Sequence, residues 1–116
     1  MPTQLSIADL PGSETASRFE GADHGSTVSF FITRHPPGAG APLHRHPYEE
    51  TFIVEEGTAE FTIDGQTTEA RAGQIVIVPA GAAHGFRNAG DGVLRQVSIH
   101  PAPRMEQEWL TTEEEK

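Results

Sequence analysis

Short runs of alternating hydrophobic and polar residues recur along the chain, with glycine- and proline-containing turns between them. In the run 58–64, Phe61 and Ile63 alternate with Glu60 and Thr62, which is the period-two pattern of a strand buried on one face. The other runs are equally short and are rich in β-branched and aromatic residues. The pattern therefore predicts an all-β domain, either a sandwich or a barrel.

Turn residues and apolar runs refine this assignment. The Asp-Gly dipeptide at 64–65 lies between two strand-like runs and predicts a type I′ hairpin. Gly57, between the runs 50–56 and 58–64, predicts a second hairpin. The run 74–78, Gln-Ile-Val-Ile-Val, is apolar on both faces, and we expect it to lie in the interior of the fold.

The end of the chain gives two further expectations. In the last clear strand, 93–100, the residues Val93, Val97 and Ile99 form the more apolar face, which predicts that this face packs on the core. The residues that follow could form a short helix around Met105 and Trp109, or an extended tail.

A length of 116 residues corresponds to one domain. We divide it into an N-terminal segment, 1–25, that supplies an outer strand or a dimer contact, a barrel over 26–103, and an acidic C-terminal tail over 104–116. The first ten residues lack the basic and apolar segments of a signal peptide, so a cytoplasmic protein is expected.

Charge and cysteine content narrow the class of function. The chain carries 8 basic and 17 acidic residues, a formal net charge of −9. Nucleic acids and anionic membranes are both bound through Lys and Arg, so neither partner is expected. The chain contains no cysteine, which excludes disulfides, thiolate metal sites and cysteine nucleophiles.

Histidine and carboxylate side chains are concentrated in one short segment. His44, His46 and Glu50 all have even numbers, so in an extended segment they share a face, whereas Glu49 points the other way. His84, which follows a Pro-Ala-Gly turn, is a fourth candidate. Each residue alone is common at protein surfaces. Together, imidazole and carboxylate groups without sulfur suit Fe, Mn, Co, Ni, Cu or Zn.

Two blocks of sequence are more specific than any single residue. The segment GAGAPLHRHPYEETFIVEEG, 38–57, resembles the first conserved motif of the cupin superfamily, and GQIVIVPAGAAHGFRN, 73–88, resembles the second. The short stretch between the blocks is similar to that of small single-domain cupins. The resemblance does not extend to residues 1–25 or 104–116.

The resemblance implies an antiparallel jelly-roll β-barrel, and the C-terminal residues would add a short helix or tail. It implies one divalent transition metal per chain, held by His44, His46, Glu50 and His84, a small-molecule substrate and a homodimer. A dioxygenase-like oxidoreductase is the first interpretation, with Glu50 as a ligand or a catalytic base. Isomerase, lyase or cyclase chemistry, or a non-catalytic metal- or small-ligand-binding module, are the alternatives.

Six further residues could line a pocket in such a barrel: Tyr48, Phe52, Phe61, Phe86, His35 and His100. Tyr48 would border the entrance or pack on the rim, and the phenylalanines would serve the core, the pocket or both. His35 lies at a strand end, where a surface position is the favoured interpretation. His100 lies on the less apolar face of its strand, which also argues against a role in the pocket.

Overall fold

The computed structural model describes residues 2–110, so Met1 and residues 111–116 of the expected acidic tail lie outside the described part of the chain. Within residues 2–110, ten strands form two five-stranded sheets in which every pairing is antiparallel. In chain order the strands are β1 (Ala16–Glu20), β2 (Ser29–His35), β3 (Gly40–Arg45), β4 (Glu50–Glu56), β5 (Thr58–Ile63), β6 (Gln66–Arg71), β7 (Ile75–Val78), β8 (His84–Asn88), β9 (Leu94–His100) and β10 (Glu108–Trp109).

The chain crosses repeatedly from one sheet to the other, which is the connectivity of a jelly roll. The strand order is β1-β2-β9-β4-β7 in the first sheet and β10-β3-β8-β5-β6 in the second. The predicted all-β, antiparallel jelly-roll architecture is therefore confirmed. The helices within residues 2–110 are short 3₁₀ turns at Ile7–Asp9 and Gly21–Asp23, and no helix in that range is long and apolar enough to cross a membrane.

The core lies between the two sheets, where inward-facing residues of both meet. Phe52 on β4 and Phe61 on β5 pack edge to face with their ring centroids 4.9 Å apart. Val54 and Leu94 are buried beside them. The alternation read from the sequence of β5 places Phe61 in this core, as expected.

The two turn predictions have different outcomes. Ile63 pairs with Gln66, and both Asp64 and Gly65 have positive φ, 48° and 82°, so the predicted hairpin between β5 and β6 is confirmed. The hairpin predicted at Gly57 is wrong, because β4 and β5 belong to different sheets. Gly57 forms a corner instead: its φ is +89°, and a Cβ there would lie 2.5 Å from the carbonyl oxygen of Val93.

The interior position predicted for the run 74–78 is also wrong. The strand within it, β7, lies at the edge of the first sheet, where Ile75 and Ile77 are 62% and 63% exposed. Val78 is the buried residue of this strand. The outward residues extend a row of apolar side chains on the outer face of the first sheet, which includes Ile53 and Val97.

The last long strand, β9, faces opposite to the prediction. Gln96, Ser98 and His100 point inward and are buried, whereas Val97 and Ile99 lie on the outer face and are partly exposed. The described part of the tail forms an extended segment rather than a helix, and its strand β10 pairs with β3.

Candidate metal centre

Four candidate ligands are brought together by elements of both sheets. His44 lies on β3 and pairs with His84, the first residue of β8, while Glu50 begins β4. His46 lies in the connection between β3 and β4. All four side chains are buried, and one ligand atom from each lies within 4.8 Å of the others. The inward direction inferred from residue parity therefore survives the change of sheet between His44 and Glu50.

The three histidine rings are oriented by main-chain carbonyl groups. Nδ1 of His44 lies 2.8 Å from the carbonyl oxygen of Pro42, and Nδ1 of His84 lies 2.9 Å from that of Ala82. Nδ1 of His46 lies 2.7 Å from the carbonyl oxygen of Glu106. Because a carbonyl oxygen only accepts hydrogen bonds, each Nδ1 carries the proton and each Nε2 presents its lone pair to the centre.

The carboxylate of Glu50 lies at the middle of this arrangement. Its Oε1 is 2.9 Å from Nε2 of both His46 and His84, and its Oε2 is 3.1 Å from Nε2 of His100. Nε2 of His46 is buried without an aligned hydrogen-bond partner, despite that short distance. Lone pairs of nitrogen and oxygen that converge in this way need a cation between them. Three imidazoles and one carboxylate fit a divalent transition metal, so these residues could bind a metal ion.

Burial and hydrogen bonding act in opposite directions on the titration of these groups. Burial would raise the pKa of Glu50, but the close imidazole rings of His100, His46 and His84 outweigh burial and hold that pKa well below its usual range. Burial lowers the pKa of His44 to about 4. For His46, burial is outweighed by the contacts with Glu50 and with the carbonyl of Glu106, so its pKa is raised.

A cavity of about 190 Å³ adjoins the centre. Its lining comprises Ala16, Phe31, Thr33, His35, Ala41, His44, Glu50, Phe52, Phe86, Ser98, His100, Gln107 and Trp109. The ligand candidates His44 and Glu50 therefore form part of its wall, while the rest is mainly apolar and aromatic. Such a lining suits a small organic molecule with few polar groups.

Two histidines lie deeper than the sequence indicated. The surface position expected for His35 is wrong: it is 8% exposed, lines the cavity and packs edge to face on Phe86. The expectation that His100 stays out of the pocket is also wrong, because the residue is 1% exposed, lines the cavity and contacts Glu50. The inner face of β9 is polar because it borders the site.

The remaining candidates divide between the cavity and the core. Phe52 and Phe86 line the cavity, whereas Phe61 lies in the core and does not. Tyr48 is absent from the lining, but its hydroxyl lies 2.7 Å from Nδ1 of His100. Sequence reasoning missed Gln107 as a wall of the cavity. It also missed the carbonyl of Glu106, for which no sequence signal exists because every residue has a carbonyl group.

Comparison with known proteins agrees with the fold. The family described as "Cupin domain" matches residues 31–100. In solved structures, the formate complex of oxalate decarboxylase from Lactobacillus farciminis superposes with a TM-score of 0.79 at 24% identity, covering 90% of this chain and 34% of that chain. At this identity the likeness shows the fold alone.

Two curated relatives share more of their sequence with this chain. "Polyketide synthase CurC" of Streptomyces cyaneus is 43% identical over 68 residues, which covers 58% of this chain and 44% of CurC. "Gentisate 1,2 dioxygenase 1" of Aquipseudomonas alcaligenes is 39% identical over 56 residues, which covers 47% of this chain and 16% of that protein. This chain thus spans less than half the length of either relative.

Proposed function

We propose that this chain, which belongs to the cupin family, is a mononuclear metal-dependent enzyme that converts a small organic molecule inside its barrel. The observation that carries the proposal is the convergence of four ligand atoms in the wall of a largely apolar cavity. His44, His46, Glu50 and His84 would hold the metal. A bound divalent transition metal would supply Lewis-acid or redox chemistry next to the substrate.

The residues of the chain contribute binding and proton handling. Phe52 and Phe86 form an aromatic wall that would hold the apolar body of a substrate and exclude water. Oε2 of Glu50 faces His100 rather than the other three histidines, so this oxygen is the one that can accept a proton from a substrate. Glu50 would then serve as both ligand and base.

A dioxygenase-like reaction is the leading candidate, and the similarity to gentisate 1,2 dioxygenase 1 supports it. Metal-assisted isomerisation, lyase chemistry or cyclisation of a carbonyl compound is the second candidate, supported by the similarity to the polyketide synthase CurC. A closed, purely structural metal site is disfavoured, because the candidate ligands His44 and Glu50 face a cavity. A non-catalytic module that binds a small ligand is the remaining alternative, and the absence of turnover with every substrate tested would favour it.

The test has a metal arm and a substrate arm. Protein purified without a metal-binding tag should contain one divalent transition metal per chain by elemental analysis. His46→Ala and His84→Ala should lose it, whereas the control His24→Ala, outside the cluster, should keep it. Full metal content in both site variants would refute the site. Oxygen uptake with a panel of phenols and keto acids would favour the dioxygenase. Turnover without oxygen uptake would favour isomerisation, lyase chemistry or cyclisation.

We also propose that the protein forms a homodimer through the outer face of the first sheet. One row of cross-strand neighbours on this face is apolar and consists of Ile32, Val97, Ile53 and Ile75. β7 at the sheet edge carries no charged residue that would protect it from pairing. The rim carries both signs, for example the pair of Arg95 with Glu56, so a second copy would meet complementary charges.

Light scattering after size exclusion tests the dimer. The wild-type chain should elute with twice the mass of one chain, and the double variant Ile75→Lys with Ile77→Lys should elute as a monomer. Leu43→Lys, at an exposed apolar position on β3 of the second sheet, is the control and should leave the dimer intact. A monomeric wild-type protein would refute the proposal.

A further inference from the structure

The segment 105–110, which follows the last long strand, lies beyond the residues matched by the cupin family. We propose that this segment, the C-terminal strap, is a positioning element of the metal centre: its docked backbone orients His46 and, through Tyr48 and His100, the carboxylate of Glu50. The inference rests on the proposed metal site, and it assigns a role to residues that lie outside the matched domain.

The main chain of Glu106 makes two contacts with the centre. Its carbonyl oxygen accepts a hydrogen bond from Nδ1 of His46 at 2.7 Å. Its N–H donates to the hydroxyl of Tyr48 at 3.1 Å. The rings of His46 and Tyr48 stack with centroids 5.2 Å apart and planes nearly parallel at 5°. One residue of the strap thus fixes two side chains that stack on each other.

The direction of the hydrogen bonds connects the strap to Glu50. Because the hydroxyl of Tyr48 accepts from the N–H of Glu106, its own hydrogen is free to point at Nδ1 of His100, 2.7 Å away. Nδ1 of His100 is then the acceptor, which puts the ring proton on Nε2. Nε2 of His100 lies 3.1 Å from Oε2 of Glu50, close enough for electrostatic attraction although the two groups are not aligned as a hydrogen bond. The chain of contacts ends on the carboxylate oxygen that does not face His46 and His84.

The strap is held in place at both ends. At its start, the preceding Arg104 pairs with Asp23 at 2.7 Å, and the N–H of Met105 donates to Glu20 at 3.0 Å. At its end, β10 pairs with β3, and the N–H of Leu110 donates to the carbonyl of Leu43 at 3.0 Å. These anchors fix the position of the main chain of Glu106. That position matters because both contacts of Glu106 with the centre are made by its main chain and not by its side chain.

The strap also closes one side of the cavity. Gln107 and Trp109 contribute to the lining, and the Trp109 ring lies 5.1 Å from the ring of His44. Trp109 is the single tryptophan of the chain. Its fluorescence therefore reports on the strap and on a candidate ligand at once, without any need for substrate or turnover.

Zinc affinity, measured by competition with a chromophoric chelator, tests the proposal. A chain that ends at Arg104 should bind zinc about 10–100-fold more weakly than wild type, the range typical of lost support to a metal ligand. A chain that ends at Leu110 retains the strap and is the matched control, with wild-type affinity expected. Tyr48→Phe, which removes the hydroxyl but keeps the stacked ring, should weaken zinc binding while His46 keeps its carbonyl partner.

Tyr48→Phe retains every strand, so it tests the proposal independently if the shortened chain fails to fold. In the wild-type chain, zinc should change Trp109 fluorescence and saturate at the concentration found by competition. Equal zinc affinity in wild type, the chain ending at Arg104 and Tyr48→Phe would overturn the role of the strap and leave the metal site intact. A wild-type chain that binds no zinc would overturn the metal site and the strap together.

Discussion

Gly85 lies beside the metal centre at a close approach of β3 and β8, and Gly85→Ala should disturb two ligands at once. A Cβ at this position would lie 2.8 Å from the carbonyl oxygen of Ala41, 3.2 Å from the carbonyl carbon of Pro42 and 3.3 Å from the nitrogen of Leu43. All three contacts are to main-chain atoms, so no side-chain rotation can relieve them. The two strands must separate instead.

The required shift can be worked out from these distances. An ordinary contact begins near 3.4 Å, so the oxygen of Ala41 must move by about 0.6 Å relative to Gly85. The carbonyl of Pro42, which orients His44, belongs to the displaced strand, and His84 directly precedes Gly85 on the other. Metal–ligand distances tolerate errors of only about 0.2 Å. Zinc affinity should therefore fall by about 10–100-fold.

The same crowding should lower stability. Overpacking typically costs about 1–3 kcal/mol, and replacing glycine within a strand returns about 0.5–1 kcal/mol of conformational entropy. For a net loss near 1 kcal/mol, circular dichroism should show a Tm lower by about 4–8 °C. Gly92→Ala is the control, because a Cβ there meets nothing within 4 Å. Wild-type zinc affinity in Gly85→Ala would refute the reasoning.

Two further predictions concern pH and a buried amide. Burial lowers the pKa of His44 from 6.5 to about 4, so the metal-free protein should lose about 3 kcal/mol of unfolding free energy as pH falls from 6.5 to 4. Because the pKa of Glu50 is lowered, its protonation below pH 4.5 also reduces the unfolding free energy. The pKa of His46 is raised, so its stabilising contribution is fully present below pH 6.5 and does not change over this range. Urea titrations across this range check the slope, and a flat profile would contradict it. Asn88→Ala removes hydrogen bonds to the carbonyls of His35 and Gly92, so calorimetry should show a loss of about 1–3 kcal/mol. Its zinc affinity should be unchanged, and a loss as large as that of Gly85→Ala would contradict a purely structural role.

The candidate ligands could be found from the sequence because two independent signals agreed. Parity placed His44, His46 and Glu50 on one face, and the second motif added His84. Residue parity predicts only the side of the chain on which a side chain lies. These three side chains all point inward, although the chain passes from β3 to β4 of the other sheet between them. The hairpin at 64–65 was equally accessible, because its two residues both need positive φ.

The faces of β7 and β9 could not be assigned from hydrophobicity, for opposite reasons. The inner face of β9 carries Gln96, Ser98 and His100 because the barrel interior holds a polar centre as well as a core. The outward Ile75 and Ile77 of β7 belong to an apolar outer sheet face. A rule that places apolar residues inside fails wherever the inside contains a functional site or the outside contains an extended apolar surface.

The orientation of the three histidine rings and the shape of the cavity depend on different parts of the protein, because main-chain carbonyl groups orient the rings. The orienting atoms belong to the main chain of Pro42, Ala82 and Glu106, so a change of side chain at Ala82 or Glu106 need not alter them. The cavity, in contrast, is shaped by side chains such as Phe31, Trp109 and Gln107. Mutation can therefore remodel what the cavity accepts while the orientation of the histidine rings is inherited unchanged. The same main-chain arrangement of the metal centre can in this way be combined with cavities that accept different substrates.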